Sequence, residues 1–475
     1  VKEYDDHYEL DLDMAGFKKG DINHTTSDSL DKQSRAIQDF VVDHLSNNTT
    51  DDSGIAIAPD NMTLLVAPVV EADASTRQYG DYVSQNLSTN DVTDEGATSD
   101  GESSEDDSSK DDSSNTESDS TASDEQAQAV DRLVSSLKLA KESGMHVVLL
   151  GNSIEGYKPD AFVKFSDAQT IGKLQAEKMV SKLKLDKASK DNPKYIEVLL
   201  PYTAMDEKGN ANDSTFAQEA FRGIWQVLGS YYQKGVVESP SGTLDGKSTE
   251  NDWQAVAYDA AKEGSTAKVL DKRLAKTDGQ STLTRIDGII TMNDYIASEV
   301  VKELDDLGYT GSAADINPQI TISGIVGNIT GKKDLSRDAV PDPIKSPEND
   351  NANDSSSSDD DADKDTSASD KDRDSQWPLV TGYGAYVSNI PSIVNGKQWM
   401  TGMEDRQTIA TDIAQACAKL NKDEALNSMP SIRNSEVGGV KKIPTISEPL
   451  LAVSASNLKS ALIDPGYISL ADAGL

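Results

Sequence analysis

The segment GIITMNDYIASEVVKELDDLGY, residues 288–309, places two polar side chains where a small molecule could be hydrogen-bonded. Ile289 and Ile290 lie in an apolar run, and Asn293 and Asp294 follow it. Ile296, Val300, Val301 and Leu304 then repeat at helical spacing up to Gly308, which suits a helix stop. The pattern predicts a buried strand, a short polar turn and a helix. In an open α/β sheet the turn at the carboxyl end of a strand borders the ligand crevice, so an amide and a carboxylate there can bind polar groups. The same two residues also suit a plain helix cap with no ligand.

Other predicted strand ends and helix starts carry residues of the same kind. Gly151-Asn152-Ser153, Tyr202 and Tyr383-Gly384 follow predicted strands, while Asp167, Asn212-Asp213 and Asp252-Trp253 open predicted helices. Amides and carboxylates hydrogen-bond hydroxyl groups, and aromatic rings cover the apolar face of a pyranose. Each residue taken singly also fits a cap or turn. No catalytic signature accompanies them: the chain has no phosphate-binding glycine-lysine loop, no HExxH and no GxSxG. Acidic residues are too numerous for any pair to be singled out as a glycoside hydrolase dyad. Gly382-Tyr383-Gly384 lacks the third glycine of a glycine-rich loop.

The single cysteine, Cys417, shares a helical face with Ile409 and Ile413 and reads as a buried small residue, so no disulfide within the chain and no cysteine-zinc cluster can form. The four histidines have no partners at metal-site spacing. Neither a metal nor a cofactor is expected, and no enzyme activity. A net charge of −37 works against phosphate contacts and against an anionic membrane surface. There is no apolar run of the roughly 18 residues a membrane span needs. The chain starts at Val1 without an initiator methionine, which reads as a processed, trimmed or incomplete start.

The elements that must position these residues alternate. YELDLDM (residues 8–14) reads as a strand, 31–45 as a helix, 62–70 as a central parallel strand, 126–143 as a helix and 146–150 as a strand. A second run follows, with helices at 167–185, 216–234 and 252–263 between strands at 195–200 and 235–238 and the opening segment. Strands near 320–325 and 379–381 and helices at 390–395 and 405–420 come after it. Such alternation argues for doubly wound parallel sheets, and two runs argue for two α/β lobes. Residues 89–126 and 346–375 are almost entirely Ser, Asp, Glu, Thr and Asn and are expected to be disordered acidic insertions. The run at Asp359, Asp360, Asp361 and Asp363 lacks the glycine and terminal glutamate of a calcium loop.

With these residues in view, the chain resembles the type I periplasmic sugar-binding proteins, the ribose, xylose and multiple-sugar receptors of ABC transporters. DKQSRAIQDFVVDHL with MTLLVAPVV is similar to that family's second helix and third strand, and AKESGMHVVLLGNS to the next helix and strand. FSDAQTIGKLQAEKM resembles the segment after the first interlobe crossing, and LVTGYGAYVSNIPSIVNGKQWMTGMEDRQTIA the strand, helix and crossing near the C-terminus. VKKIPTISEPLLAVSASNLKSALIDPGY follows the closing strand and last helix, and GIITMNDYIASEVVKELDDLGY carries the most specific motif. By this resemblance Asn293 and Asp294 match a sugar-contacting pair. Asn152 stands where an Asp-Arg pair is common, and Gly384, beside Tyr383, where an aspartate is usual. Glu404 lies near a usual Lys or Gln, Asp167 or Ser166 replaces another polar residue, and Trp253 lies near a helix start that faces the cleft.

The resemblance implies a type I periplasmic-binding-protein fold of two lobes joined by a three-crossing hinge, its first strand and helix missing from this chain. Residues 1–165 would form the N-terminal lobe and 166–403 the C-terminal lobe. Residues 404–440 would return to the N-terminal lobe, and 441–475 would be the closing strand and helix. It implies an extracytoplasmic receptor that traps a small carbohydrate between its lobes, a monomer that hands it to an ABC transporter permease and binds no nucleic acid. A surface lipoprotein of a Gram-positive cell fits that role. The alternatives are a sensor or surface interaction protein with an altered site and, more remotely, a carbohydrate-active enzyme.

Overall fold

The computed structural model describes residues 16–18, 21–47, 61–70, 84–90, 117–202, 214–260, 262–275, 283–313 and 377–475. These form two units. The first takes the described residues before 71 together with Ser84–Phe165 and Asp405–Pro449; the second takes Ser166–Glu404 and Leu450–Leu475. Among described residues the chain therefore changes unit after Phe165, after Glu404 and after Pro449.

Along the chain the first unit begins with α1 (Leu30–Asn47), β1 (Thr63–Val66), β2 (Asn86–Leu87), α2 (Glu117–Glu142), β3 (His146–Leu150), β4 (Ser153–Ile154) and β5 (Ala161–Val163). The second unit supplies α3 (Ala168–Leu183), β6 (Lys194–Val198), β7 (Leu200–Tyr202), α4 (Thr215–Gln233), β8 (Val237–Glu238), the single turn α5 (Trp253–Val256), β9 (Ala257–Asp259), α6 (Ser265–Arg273) and β10 (Gly288–Ile290). It continues with α7 (Asp294–Leu307), β11 (Leu379–Val380), α8 (Ile390–Val394) and β12 (Met400–Met403). Then α9 (Arg406–Leu420), β13 (Ile432–Val437) and β14 (Val440–Ile446) return to the first unit, and β15 (Leu451–Ser454) to the second.

The first unit's sheet has the order β1-β3-β5-β14-β13, parallel except for the β14–β13 hairpin. The apolar strands TLLV and HVVLL pair from Thr63 with His146 to Val66 with Leu149. Leu30, Ile37 and Val41 of α1 and Val130, Leu133 and Leu137 of α2 repeat at helical spacing and are buried in one core with Val147 and Leu149. The second unit's sheet, β11-β10-β6-β8, is parallel throughout, and β7 pairs in parallel with β9. Leu304, Val300 and Ile296 of α7 are buried with Ile289 and Val380. The α/β class with mostly parallel sheets expected from the alternation is what forms.

Four expectations change. The helix expected to begin at Gln126 begins at Glu117, so residues 117–126 are helical where disorder was expected. Acidic residues suit a helix N-terminus, and Ala, Glu and Gln favour its continuation. The helix expected over 252–263 stops after one turn, and Ala257–Asp259 turns into β9, with Tyr258 buried and its hydroxyl 2.9 Å from Thr266 Oγ1. The segment expected to close the fold from 441 starts at Leu450, because β14 belongs to the first unit's sheet. Gly438 (φ 55°) and Gly439 (φ 77°) turn it back on β13, with Val437 opposite Val440. The expected last helix is a single π turn, Lys459–Ile463. The strands expected at 8–14 and 320–325 and the insertions at 91–116 and 346–375 lie outside the described residues.

Candidate functional site

Because β6, β8, β10 and β11 are parallel, their carboxyl ends share one edge of the second unit's sheet. The turn after β10 is the centre of that edge. Met292 is buried and takes the left-handed conformation (φ 69°), which L side chains rarely adopt. The fully buried Gln175 of α3 holds it on both sides: Gln175 Nε2 donates to the Met292 carbonyl at 3.0 Å, and the Met292 N–H donates to Gln175 Oε1 at 3.3 Å. Thr381 Oγ1 donates to the same Oε1 at 2.6 Å, tying in the end of β11.

Asn293 is the N-cap of α7: its Oδ1 accepts from the Ile296 N–H at 2.9 Å, and only 4% of the residue is exposed. The cap reading therefore describes its geometry. Gly308 (φ 91°) ends the helix where expected.

Asp294 is completely buried. Its Oδ1 accepts from Gln398 Nε2 at 2.7 Å, and its Oδ2 from Thr401 Oγ1 at 3.0 Å and the Tyr386 N–H at 3.2 Å. Burial raises its pKa to about 6, and the hydrogen bonds from Gln398, Thr401 and Tyr386 pull it back towards the usual carboxylate range. Asn389 Nδ2 lies within 2.9 Å of the Asp294 carbonyl, Ser298 Oγ and Gln398 Oε1. The Asp294 N–H donates to the Tyr383 carbonyl at 3.0 Å, so β11's extension and α7 are locked together.

Tyr383 belongs to a second buried network. Its hydroxyl donates to Glu404 Oε1 at 3.1 Å and lies 2.9 Å from Ser166 Oγ. The Ser166 N–H donates to Glu404 Oε1 at 2.7 Å, and Ser166 Oγ donates to the same oxygen. Asp167 next to it caps α3, accepting from Thr170 N–H at 2.7 Å and Thr170 Oγ1 at 2.6 Å. Gly384 takes φ 124°, and a Cβ there would lie 2.6 Å from the Tyr386 ring, so a side chain at this position requires that ring to move.

Asn152 is in the first unit and is not part of this edge. Its Nδ2 donates to the Pro68 carbonyl and its Oδ1 accepts from the Gln85 N–H, both at 3.0 Å, fastening two loops at the end of β3. Asn212 and its neighbour Asp213 lie outside the described residues.

Trp253 differs from the polar candidates. It is half-buried on the single-turn α5 and meets Tyr202, half-buried at the end of β7, edge-to-face at 5.4 Å and 78°. Two further rings at the carboxyl edge escaped the sequence reading: Tyr295 is 65% exposed and Tyr386 39%. A signal for Tyr295 existed, since the residue after a cap and its helix-opening partner stands off the apolar stripe that follows. The edge thus has a polar interior whose groups are joined to one another, with the Tyr295 and Tyr386 rings exposed beside it. Among the described residues no group of three His, Cys, Asp or Glu side chains is placed to hold a metal, and no helix is long and apolar enough to cross a membrane. The half-buried Cys417 thiol is pushed up to about 12 by burial and stays protonated at neutral pH.

No protein-family model matches the chain, and no curated protein matches it. Solved structures do. One is an ABC transporter solute-binding protein from Clostridium phytofermentans with bound β-D-glucose, 18% identical with a TM-score of 0.42, covering 72% of this chain and 79% of that one. Another is a carbohydrate transporter solute-binding protein from Chloroflexus aurantiacus in complex with D-glucose, 20% identical with a TM-score of 0.40, covering 72% and 78%. A third, described as an ABC transporter, LacI family transcriptional regulator, from Brachyspira murdochii, is 13% identical with a TM-score of 0.39 and covers 98% and 92%.

Proposed function

We propose that this chain is an extracytoplasmic solute-binding protein that captures a small carbohydrate for an ABC transporter. The observations that carry the reading are aromatic rings in the second unit: Tyr202 at the end of β7 in edge contact with Trp253, and Tyr295 and Tyr386 exposed at the start of α7 and in the turn after β11. Ligands of open α/β sheets bind at carboxyl ends, and rings of this kind cover the apolar face of a sugar. In this reading Trp253 and Tyr202 touch the ligand. Asn293, Asp294, Tyr383, Glu404 and Asp167 hold the turns that present it. Binding involves no covalent step. A permease partner, a monomeric state and a surface-anchored lipoprotein form go with the reading.

Trp253 gives the test a built-in probe, because Trp225, Trp377 and Trp399 are buried and Trp253 is the half-exposed one of the four tryptophans. Calorimetric titration with a panel of mono- and oligosaccharides should find at least one that binds and changes tryptophan fluorescence. Binding without any change in fluorescence would remove Trp253 from the site.

Gly384 favours a second reading, a sensor or surface interaction protein with an altered ligand. A side chain at Gly384 would meet the Tyr386 ring, so the aspartate usual in the family is absent here and its place is held against that ring. Binding of a protein partner in place of every sugar in the panel distinguishes it.

A further inference from the structure

Tyr202 and Trp253 are carried by short elements. Tyr202 closes the three-residue β7, and Trp253 opens α5, the single turn that leads directly into β9. The two strands pair in parallel at three positions: Leu200 with Ala257, Pro201 with Tyr258 and Tyr202 with Asp259. Pro201 has no N–H, so the ladder has one donor fewer. Side chains alternate across a strand, so a slip of one residue in this ladder would turn the Tyr202 ring to the opposite face and part it from Trp253.

One side chain grips the backbone just ahead of both strands. Arg273, the last residue of α6, is buried. Its Nη1 donates to the Val198 carbonyl, and its Nη2 donates to the Val256 carbonyl at 2.8 Å. Val198 ends β6 shortly before β7 begins, and Val256 ends α5 immediately before β9. The guanidinium thus bridges the two backbones where their ladder starts. Its hold on Val256 reaches Trp253, because α5 is one turn closed by the Ala257 N–H on the Trp253 carbonyl.

The charge of Arg273 is met by Glu197, which is fully buried on β6 with its Oε2 3.4 Å from Nη1. Glu197 Oε1 accepts from the Ser241 N–H at 2.8 Å and from Ser239 Oγ at 3.2 Å, so the loop between β8 and α5 is fastened to the same group. A buried ion pair is weak ground for stability, because desolvation cancels much of the attraction. What arginine supplies here is geometry: a planar fork whose donors point in fixed directions, which a lysine ammonium does not reproduce.

We propose that Arg273 is a positioning residue for ligand binding: its fork sets the register of β7 against β9 and so the edge-to-face arrangement of Tyr202 and Trp253. This rests on the reading that the two rings touch the carbohydrate. Arg273 itself does not touch the ligand and acts through the Val198 and Val256 carbonyls.

The test is Arg273→Lys in the full chain, which keeps a positive charge for Glu197 and loses the fork. With 5-fluorotryptophan incorporated, the chain's four tryptophans give four fluorine resonances, and that of Trp253 is identified by its loss in Trp253→Phe. Arg273→Lys should move the Trp253 resonance by more than any of the other three, and should weaken binding of the best saccharide of a panel at least about tenfold, the scale of one lost ring contact. A Trp253 resonance that stays in place, or saccharide affinity equal to the parent's, overturns the proposal. Should Arg273→Lys not fold, Glu197→Gln combined with Arg273→Met, which removes both charges and keeps an acceptor for Ser241, is read in the same way. Failure of both to fold also overturns it, because the group then serves the fold as a whole. If no saccharide binds the parent, the carbohydrate reading falls, and the resonance alone decides whether Arg273 positions the ring pair.

Discussion

Gln398 Nε2 donates a 2.7 Å hydrogen bond to Asp294 Oδ1, and both residues are fully buried. They are 104 positions apart in the chain. The bond, with those from Thr401 and the Tyr386 N–H, turns a carboxylate that could have bound a ligand into the element that ties α7 to the turn after β11 and to β12. A buried charge is tolerated when its lone pairs are satisfied, and removing one donor leaves it poorly compensated. Gln398→Ala is therefore expected to destabilise the protein by about 2–4 kcal/mol, measured by urea denaturation, with the Asp294 pKa moving further above 6. A loss within about 0.5 kcal/mol would remove the network from the structural core of this edge.

The raised Asp294 pKa has a definite sign in the pH dependence of stability. Between the unfolded carboxylate value of about 4 and the folded value of about 6, the folded chain holds the extra proton. Its stability is therefore fully expressed below about 4 and declines as pH rises through 6. The shift corresponds to about 2–3 kcal/mol. Asp294→Asn cannot titrate, so the difference in unfolding free energy between wild type and variant should change by that order across this window. A difference that stays flat from pH 4 to pH 7 would contradict the assignment.

The strained turn at Met292 depends on one side chain. Gln175→Leu keeps the bulk but removes the hydrogen bonds to both sides of Met292 and to Thr381. Leaving buried backbone groups unpaired costs about 1–3 kcal/mol per group. Hydrogen exchange should accelerate at the amides of the turn after β10 and at the start of α7, with the first unit's amides unchanged.

Much of this framework is legible locally. The β3 strand HVVLL forms over the residues its apolar run marks, and α1 follows its periodic stripe to within two residues at either end. Asp167, Asn293 and Asp405 cap helices as their positions suggest, because a cap needs only a bond to an amide three residues on. The networks were hidden for the opposite reason. Gln175, Gln398 and Thr401 meet Met292 and Asp294 from far along the chain, and nothing in their immediate sequence marks them. Local pattern misled at 252–263, where helical spacing was overridden by pairing of Ala257–Asp259 with β7. The Gly438-Gly439 pair between Val437 and Val440 is a hairpin signal that reading for parallel strands passes over. Polar residues at strand ends therefore marked turns that the fold holds by buried hydrogen bonds, while Tyr295 and Tyr386, exposed beside them, were not singled out.

Gly384 tests whether the lack of a side chain at this position is built into the backbone. Gly384→Ala should cost about 2–4 kcal/mol, from a φ of 124° and a Cβ 2.6 Å from the Tyr386 ring. Adding Tyr386→Ala should recover the steric part and leave the conformational part. Full recovery in the double variant would show that the left-handed backbone contributes nothing.

The central claim is that the aromatic edge of the second unit holds a carbohydrate. The most direct measurement is calorimetric titration of the full chain and of Trp253→Ala with the best binder of a saccharide panel, each variant checked for an unchanged thermal midpoint. The account predicts saturable binding by the parent and a weakening of at least about tenfold in Trp253→Ala, the scale of one lost ring contact of about 1.4 kcal/mol. Equal affinity in the two proteins, or no saccharide bound by the parent, would contradict it.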